Sequence, residues 1–300
     1  MAMTTDSLAV RLVNHFLSVK PLANLARQQA RKMMIQRAES VGVQWTKQVE
    51  ILRQRAWKIE LALVENAHLD YPEYYLKPFH AYTQGNLCWD AALEVEVAAH
   101  AAHARIWPQA GAQGDAKLRA SYHAALEAQL PAVPHCILDI GCSVGMSTMA
   151  LQSAFPSAAV TGLDLSPYFL AVAAYRAKDL PIRWLHRPAE STDLPPESFD
   201  LVNACLLFHE LPKAASRQIL QESYRLLQPG GYLAIMDMNP HSDIYKKMPA
   251  YILTLLKSTE PYLDEYFSLD LEDAMVDAGF TKPSMTCNTP RHRILIARRN

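Results

Sequence analysis

The stretch Ile137-Leu138-Asp139-Ile140-Gly141-Cys142-Ser143-Val144-Gly145-Met146-Ser147-Thr148 decides the fold, because an apolar run stops at one glycine and resumes as a helix after a second. The residues from Cys136 to Ile140 predict a strand covered on both faces, as in a parallel sheet. Gly141 ends it, and Gly145 lets a helix start close to the strand end. Free backbone N–H groups and the helix dipole there receive a polar or anionic ligand group. Ala159-Val160-Thr161-Gly162-Leu163 predicts a second strand that ends at Asp164, 23 residues beyond Gly141. That is near the roughly 20 residues separating glycine loop from ribose-binding acid in dinucleotide folds. A carboxylate so placed can accept both hydroxyls of a ribose.

The glycine loop alone does not choose the cofactor. A nicotinamide dinucleotide needs G-x-G-x-x-G so that backbone can touch a pyrophosphate, and Ser143 occupies the middle position here. An NAD-linked oxidoreductase therefore fails on the missing glycine. Asp139 would repel phosphate but suits an ammonium group, directly or through water, which favours an amino-acid-bearing nucleoside. Asp139-x-Gly141-x-Ser143-x-Gly145, Asp164, Ser198-Phe199-Asp200-Leu201-Val202 and Arg225-Leu226-Leu227-Gln228-Pro229-Gly230-Gly231 together resemble the class I S-adenosylmethionine-dependent methyltransferases, over roughly residues 115–300.

That resemblance implies a Rossmann-like, seven-stranded, doubly wound α/β sheet of order 3-2-1-4-5-7-6 with the last strand antiparallel, carrying a helical N-terminal extension. It also implies S-adenosyl-L-methionine as cofactor. By resemblance, Gly141 and Gly145 pass closest to the methionine half, Asp164 and Leu165 flank ribose and adenine, Ala189-Glu190 lie near the adenine edge, and Asp139, Cys142, Ser143 and Asn203 are further expected cofactor-binding residues. In relatives similar to the quinone-biosynthesis methyltransferases an acid precedes the Ala-Glu pair. Here Pro188 stands in its place, so the adenine amino contact passes to Glu190 or to backbone.

The later blocks follow in family order. A strand is expected from Phe199 to Phe208, a helix from Lys213 to Leu227, a turn at Pro229-Gly230-Gly231 and a strand from Tyr232 to Met236. A long Tyr/Met-rich insertion then precedes a last helix, Leu269 to Ala278, and a hairpin pairing Ser284–Asn288 with Ile294–Arg298. The insertion is expected to roof an acceptor site and suits a hydrophobic or aromatic small molecule better than nucleic acid. His209, in Phe208-His209-Glu210-Leu211 just beyond the fourth strand, is the expected general base because its unperturbed pKa is near neutrality. A positioning or capping histidine is the competing reading, and Glu210 is a candidate to orient it.

Composition agrees with an enzyme of this kind. With 300 residues, 50% hydrophobic, and a formal net charge of −1, the chain suits one α/β core plus a smaller accessory unit, without a global bias toward nucleic acid. Cys88, Cys136, Cys142, Cys205 and Cys287 include no C-x-x-C pair, so neither a zinc site nor a disulfide framework is indicated, and a reducing, cytoplasmic setting is expected. Cys142 reads as a buried, unreactive thiol.

Residues 1–60 hold ten basic against four acidic side chains, and Leu8, Leu12, Val13, Phe16, Leu17, Leu22 and Leu25 recur at helical spacing, interrupted by Pro21. This basic amphipathic segment admits packing or dimerisation, peripheral membrane contact through residues 1–35, or targeting. Further helices are expected over 43–69 and from Trp89 to Ile106, an aromatic loop between Asp70 and Asn86, a linker from Pro108 to Asp115, and a helix from Lys117 to Gln129. The division is thus 1–114, helical, and 115–300, the methyltransferase domain. Lys77-Pro78-Phe79-His80-Ala81-Tyr82 and Gly85-Asn86-Leu87-Cys88-Trp89 also resemble uncharacterised methyltransferase-like proteins of cyanobacteria and chloroplasts.

Glu96, His100 and His103 share one helix face, where hydrogen-bonded interhelix groups are the expected role ahead of substrate or metal binding. Tyr71, Tyr74, Tyr75, Phe79, His80 and Tyr82 form a candidate lid. The expected activity is methyl transfer to a small hydrophobic or aromatic acceptor at oxygen or activated carbon. The alternative is a non-catalytic binder of the same nucleoside whose helical region meets a partner. The sequence does not fix the oligomeric state.

Overall fold

The computed structural model describes residues 20–300 except Ala81 and Pro108. The basic apolar stripe through Leu8, Leu12, Val13, Phe16 and Leu17 therefore lies outside the described residues. Helix α1 (Lys20–Ser40) carries Pro21 in its first turn, where a missing N–H leaves no helical bond unmade. Gly42, at φ 87°, turns the chain out of it.

The expected helix over 43–69 is two, α2 (Trp45–Arg53) and α3 (Lys58–Val64). The break has a cause in packing: the Trp57 indole N–H donates to the Leu52 carbonyl at 3.0 Å while its ring stacks on Trp89 at 5.5 Å. Helix α4 (Trp89–His103) is followed by α5 (Gly114–Gln129), which begins inside the stretch expected as a linker. That stretch is a packed joint. A Cβ on Gly114 would lie 2.2 Å from the His103 carbonyl oxygen, so only glycine lets the two helices meet this closely. Asp115 then bonds to His103 at 2.7 Å and Arg119 at 2.8 Å.

The sheet has seven strands, β1 (Cys136–Ile140), β2 (Ala159–Asp164), β3 (Arg183–His186), β4 (Phe199–Cys205), β5 (Leu227–Met238), β6 (Ser284–Thr286) and β7 (His292–Arg298), in the order β3-β2-β1-β4-β5-β7-β6. Strands β1 to β5 run parallel, and β7 is antiparallel to both β5 and β6. The fold class and strand order expected from the family resemblance are those found. The Pro-Gly-Gly segment differs: Leu227 already pairs with Phe199, so the turn is an irregularity within β5, with Gly230 at φ 85°.

Chain direction across the sheet reverses between β1 and β4, and the carboxyl ends of those strands therefore open a crevice. Helices α6 (Met146–Ala154) and α7 (Pro167–Arg176) follow β1 and β2. Ser166 caps α7, its Oγ accepting from the Phe169 N–H at 3.2 Å with Pro167 in the first turn. The same hydroxyl donates to the Asn86 carbonyl at 2.7 Å and ties the aromatic loop to the sheet. Helix α8 (Lys213–Leu226) leads into β5, and the insertion after β5 folds as α9 (Asp243–Lys246), α10 (Ala250–Thr259) and α11 (Leu263–Phe267) before α12 (Leu271–Asp277).

One apolar cluster joins Val144, Phe169 and Val172 of the core to Trp45, Trp57, Leu93 and Val97 of the N-terminal helices. Burying this shared surface is what holds the accessory helices over the crevice. No described helix is long and apolar enough to cross a membrane.

Candidate cofactor and acceptor site

A cavity of about 500 Å³ lies at the carboxyl ends of β1, β2 and β4, under the aromatic loop and the insertion. Its floor is the glycine loop. Gly145 takes φ 81°, and a Cβ there would lie 2.7 Å from the Trp184 ring, so the loop folds tightly only with glycine at this position. Three non-glycine residues with positive φ, His80, Ser143 and Leu206, line the cavity. For a bulky residue such as Leu206 this backbone is strained, and such strain concentrates at functional sites.

Of the residues expected to meet the cofactor, Gly141, Cys142, Ser143, Asp164, Leu165, Ala189 and Glu190 line this cavity together. Asp139, Gly145 and Asn203 lie behind its wall. The Asp139 carboxylate is fully buried and accepts from Ser147 and Thr148 hydroxyls, each at 2.6 Å, and from Asn203 Nδ2 at 2.5 Å. Asn203 in turn accepts from the Tyr122 hydroxyl at 2.5 Å. Burial raises the Asp139 pKa against those bonds. Asp139 thereby ties the end of β1 to the first turn of α6 and to β4, directly behind the glycine loop.

Asp164 ends β2 inside the cavity. Its oxygens accept from the backbone N–H groups of Ser143 and Ser166, both at 2.8 Å, and burial pushes its pKa up to about 6. The Tyr75 hydroxyl lies 3.5 Å from it, and the Tyr74 hydroxyl donates to Glu190 at 2.5 Å. Tyr71 contacts His186, whose Nε2 lies 2.9 Å from the Leu165 carbonyl. The aromatic loop thus covers the acids at the ends of β2 and β3. Buried Ser143 Oγ and Glu190 Oε2 have no hydrogen-bond partner among the described residues. Unpaired polar atoms in a cavity wall are costly unless a ligand satisfies them. A nucleoside with ribose hydroxyls and an adenine amino group fits this donor and acceptor set.

Cys142 is buried and its pKa lies well above the ordinary thiol value because burial disfavours the thiolate, which makes it inert.

His209 and Glu210 also line the cavity, Glu210 near enough to Asp164 to feel its charge. Nδ1 of His209 meets Asp237 at 2.7 Å, and Asp237 also accepts from the His209 backbone N–H at 3.2 Å. Burial would lower the His209 pKa, yet Asp237, Glu210 and Glu260 outweigh it and hold it up to about 10. These acids act on His209 in the direction opposite to a free base titrating near neutrality. Asp237, not Glu210, orients it. Burial pushes Glu210 up to about 7, opposed by His80 and His209. Asp237 was not singled out from sequence, although a lone carboxylate in the apolar run Tyr232–Met238 was a usable signal.

Glu96 and His100 line a separate pocket, whereas His103 lines the main cavity. Glu96 pairs with Arg176 and His103 with Asp115, as expected of interhelix polar groups, and no cluster able to hold a metal occurs among the described residues. The insertion contributes Tyr245, Leu256, Thr259, Glu260 and Tyr262 to the cavity, as its expected roofing role requires.

Residues 137–231 match the family described as Methyltransferase domain. An uncharacterized methyltransferase of Mycobacterium bovis is 34% identical over 115 residues, 38% of this chain and 56% of that protein. The demethylmenaquinone methyltransferase of Thermus thermophilus is 32% identical over 118 residues, 39% of this chain and 53% of that protein. The chain thus spans about half the length of these curated relatives. Among solved structures, a phosphoethanolamine N-methyltransferase of Haemonchus contortus in complex with S-adenosyl-L-methionine superposes with a TM-score of 0.54 at 16% identity, covering 73% of this chain and 61% of that one.

Proposed function

The chain belongs to the class I S-adenosylmethionine-dependent methyltransferase family, and on that premise we propose that it methylates a small, largely apolar acceptor at oxygen or activated carbon. One observation supports the reading: a single cavity of about 500 Å³ is lined by Asp164 and Glu190 and also by His209, Tyr245 and Arg291, residues beyond those assigned to the nucleoside. A protein that only retained the nucleoside would need no such additional wall.

When bound, S-adenosyl-L-methionine supplies a methyl group on a sulfonium centre. The chain's own part is alignment and exclusion of water, which account for much of the acceleration in an in-line displacement. We assign ribose recognition to Asp164 and Leu165, the methionine half to Gly141, Cys142 and Ser143, and the adenine edge to Ala189 and Glu190. Asp139, Gly145 and Asn203 hold the loop that carries these contacts. His209, oriented by Asp237, presents Nε2 to the acceptor as a positive donor, and Glu210 adjoins it. The described part of the helical region, residues 20–114, covers the cavity of the domain formed by 115–300 through its aromatic loop.

Calorimetry with S-adenosylmethionine and S-adenosylhomocysteine, followed by transfer of methyl label into a cell extract, tests this reading. Binding of both nucleosides with label appearing in a small extractable molecule is the expected result. Tight binding without transfer to any component would make the chain a nucleoside-binding protein instead.

A further inference from the structure

The cavity wall carries the acids Asp164, Glu190, Glu210 and Glu260 and, against them, Arg119, Arg291, His209 and His292, with Tyr245 also in the wall. Arg119 is already paired with Asp115, and Arg293, next along β7, pairs with Glu272. Arg291 has no carboxylate within ion-pair distance among the described residues. Its backbone carbonyl accepts from the Asn239 N–H at 2.7 Å, which fixes it at the carboxyl end of β5, just past the Met238–His292 pair and beside the strand position that carries Asp237.

Three further features describe the surroundings of Arg291. Arg37 lies near both Arg105 and Arg291, its pKa lowered by burial and by those two charges, and its buried Nε has no partner. His292 is held down to about 3 by burial and by His103, with His209 and Arg291 adding to the effect. The Tyr245 hydroxyl, whose pKa is pushed up to about 12 by burial and by Asp237 against the pull of Arg291, bonds to none of the described residues. Ala98, Ala102, Met146, Leu206 and Met238 supply the apolar remainder of the wall. A cavity-lining guanidinium left without a counter-ion beside an unpaired hydroxyl, as Arg291 is beside Tyr245, forms a receptor for an oxyanion, since charge-assisted hydrogen bonds are the strongest available to it.

We propose that the acceptor carries an anionic oxygen-acid group, a carboxylate or a phosphate ester, received by Arg291 and the Tyr245 hydroxyl at the carboxyl end of β5. This rests on the methyl-transfer reading and narrows its acceptor to an acid with an apolar body. It also accounts for a protonated His209 at the site: an acceptor that arrives as an anion needs a positive neighbour more than it needs a base.

The test uses the full-length protein saturated with S-adenosylhomocysteine, titrated calorimetrically with benzoate, phenyl phosphate and uncharged benzyl alcohol. At least one anion should bind about tenfold or more tightly than the alcohol, the gain expected of charge-assisted bonds. The tighter anion then identifies the acid group. Arg291→Gln should erase that preference and Arg291→Lys should keep part of it, while S-adenosylhomocysteine affinity stays within about twofold in both. Equal binding of alcohol and anions to the wild type, failure of both anions to bind, or a preference that survives Arg291→Gln would overturn the proposal. The comparison of anion with alcohol on the wild type stands even if the variants do not fold. Failure of S-adenosylhomocysteine itself to bind would instead sink the methyl-transfer reading.

Discussion

Asp164 illustrates what a single residue reveals before and after folding. Its spacing from Gly141 made it a ribose acid in the sequence; the structure adds that the same carboxylate holds the Ser143 and Ser166 N–H groups. Asp164→Asn, which keeps the shape, should weaken S-adenosylhomocysteine binding by roughly thirtyfold to a thousandfold, equivalent to about 2–4 kcal/mol, when measured by calorimetry. Because burial raises its pKa to about 6, the ionised acceptor form prevails above that pH. Wild-type affinity should therefore decline as pH falls below about 6, and a flat profile down to pH 5 would remove the carboxylate from the contact. His209 shows the limit of such inference. Its place after the fourth strand was legible, but its charge depends on Asp237, 28 residues away, and on Glu210 and Glu260. Its folded pKa exceeds the unfolded value, so its stabilising effect is complete below about 6.5 and is lost as pH rises through about 10. Denaturant melts of wild type and Asp237→Asn should accordingly differ most near pH 6 and converge toward pH 10.

At the scale of elements, the strands were legible because buried parallel strands write themselves as short apolar runs, and Cys136–Ile140 and Ala159–Asp164 needed nothing else. Elements whose limits depend on distant partners were not. The break between α2 and α3 is set by Trp57 stacking on Trp89, 32 residues on, and the supposed linker before α5 is a close helix contact. Glycines at 111 and 114 looked like flexibility, yet Gly114 is a packing requirement: no side chain fits against the His103 carbonyl. Gly114→Ala should cost about 1–3 kcal/mol as overpacking forces α4 and α5 apart. Thermal melts would register this as a lower Tm, and a melt unchanged from wild type would mean that the joint is loose after all.

Over the whole molecule, the first helix is secured to the rest of the N-terminal region by a buried ion pair between residues 63 positions apart, which no local pattern announces. Glu94 is fully buried and accepts from Arg31 Nε at 2.8 Å and from the Tyr82 hydroxyl at 2.7 Å. Removing residues 1–35 would take Arg31 away and leave that carboxylate buried beside Tyr82 alone, so the truncated protein should be destabilised by about 1–3 kcal/mol, the lower part of the usual range because Arg31 is partly exposed. Removing residues 1–19 spares the pair. Sedimentation of that shorter deletion with anionic liposomes is the cleaner measure of membrane contact, which predicts loss of binding with stability kept. The division of the cavity between these two halves, with its floor on the sheet and its ceiling on Tyr74 and Tyr75, has a thermodynamic consequence. A small molecule seated there is a reversible crosslink between chain segments about 90 residues apart. Its free energy of binding is then also a free energy of docking for the N-terminal helices, and at a concentration a hundred times its Kd it should slow their proteolysis about a hundredfold where digestion requires them to detach.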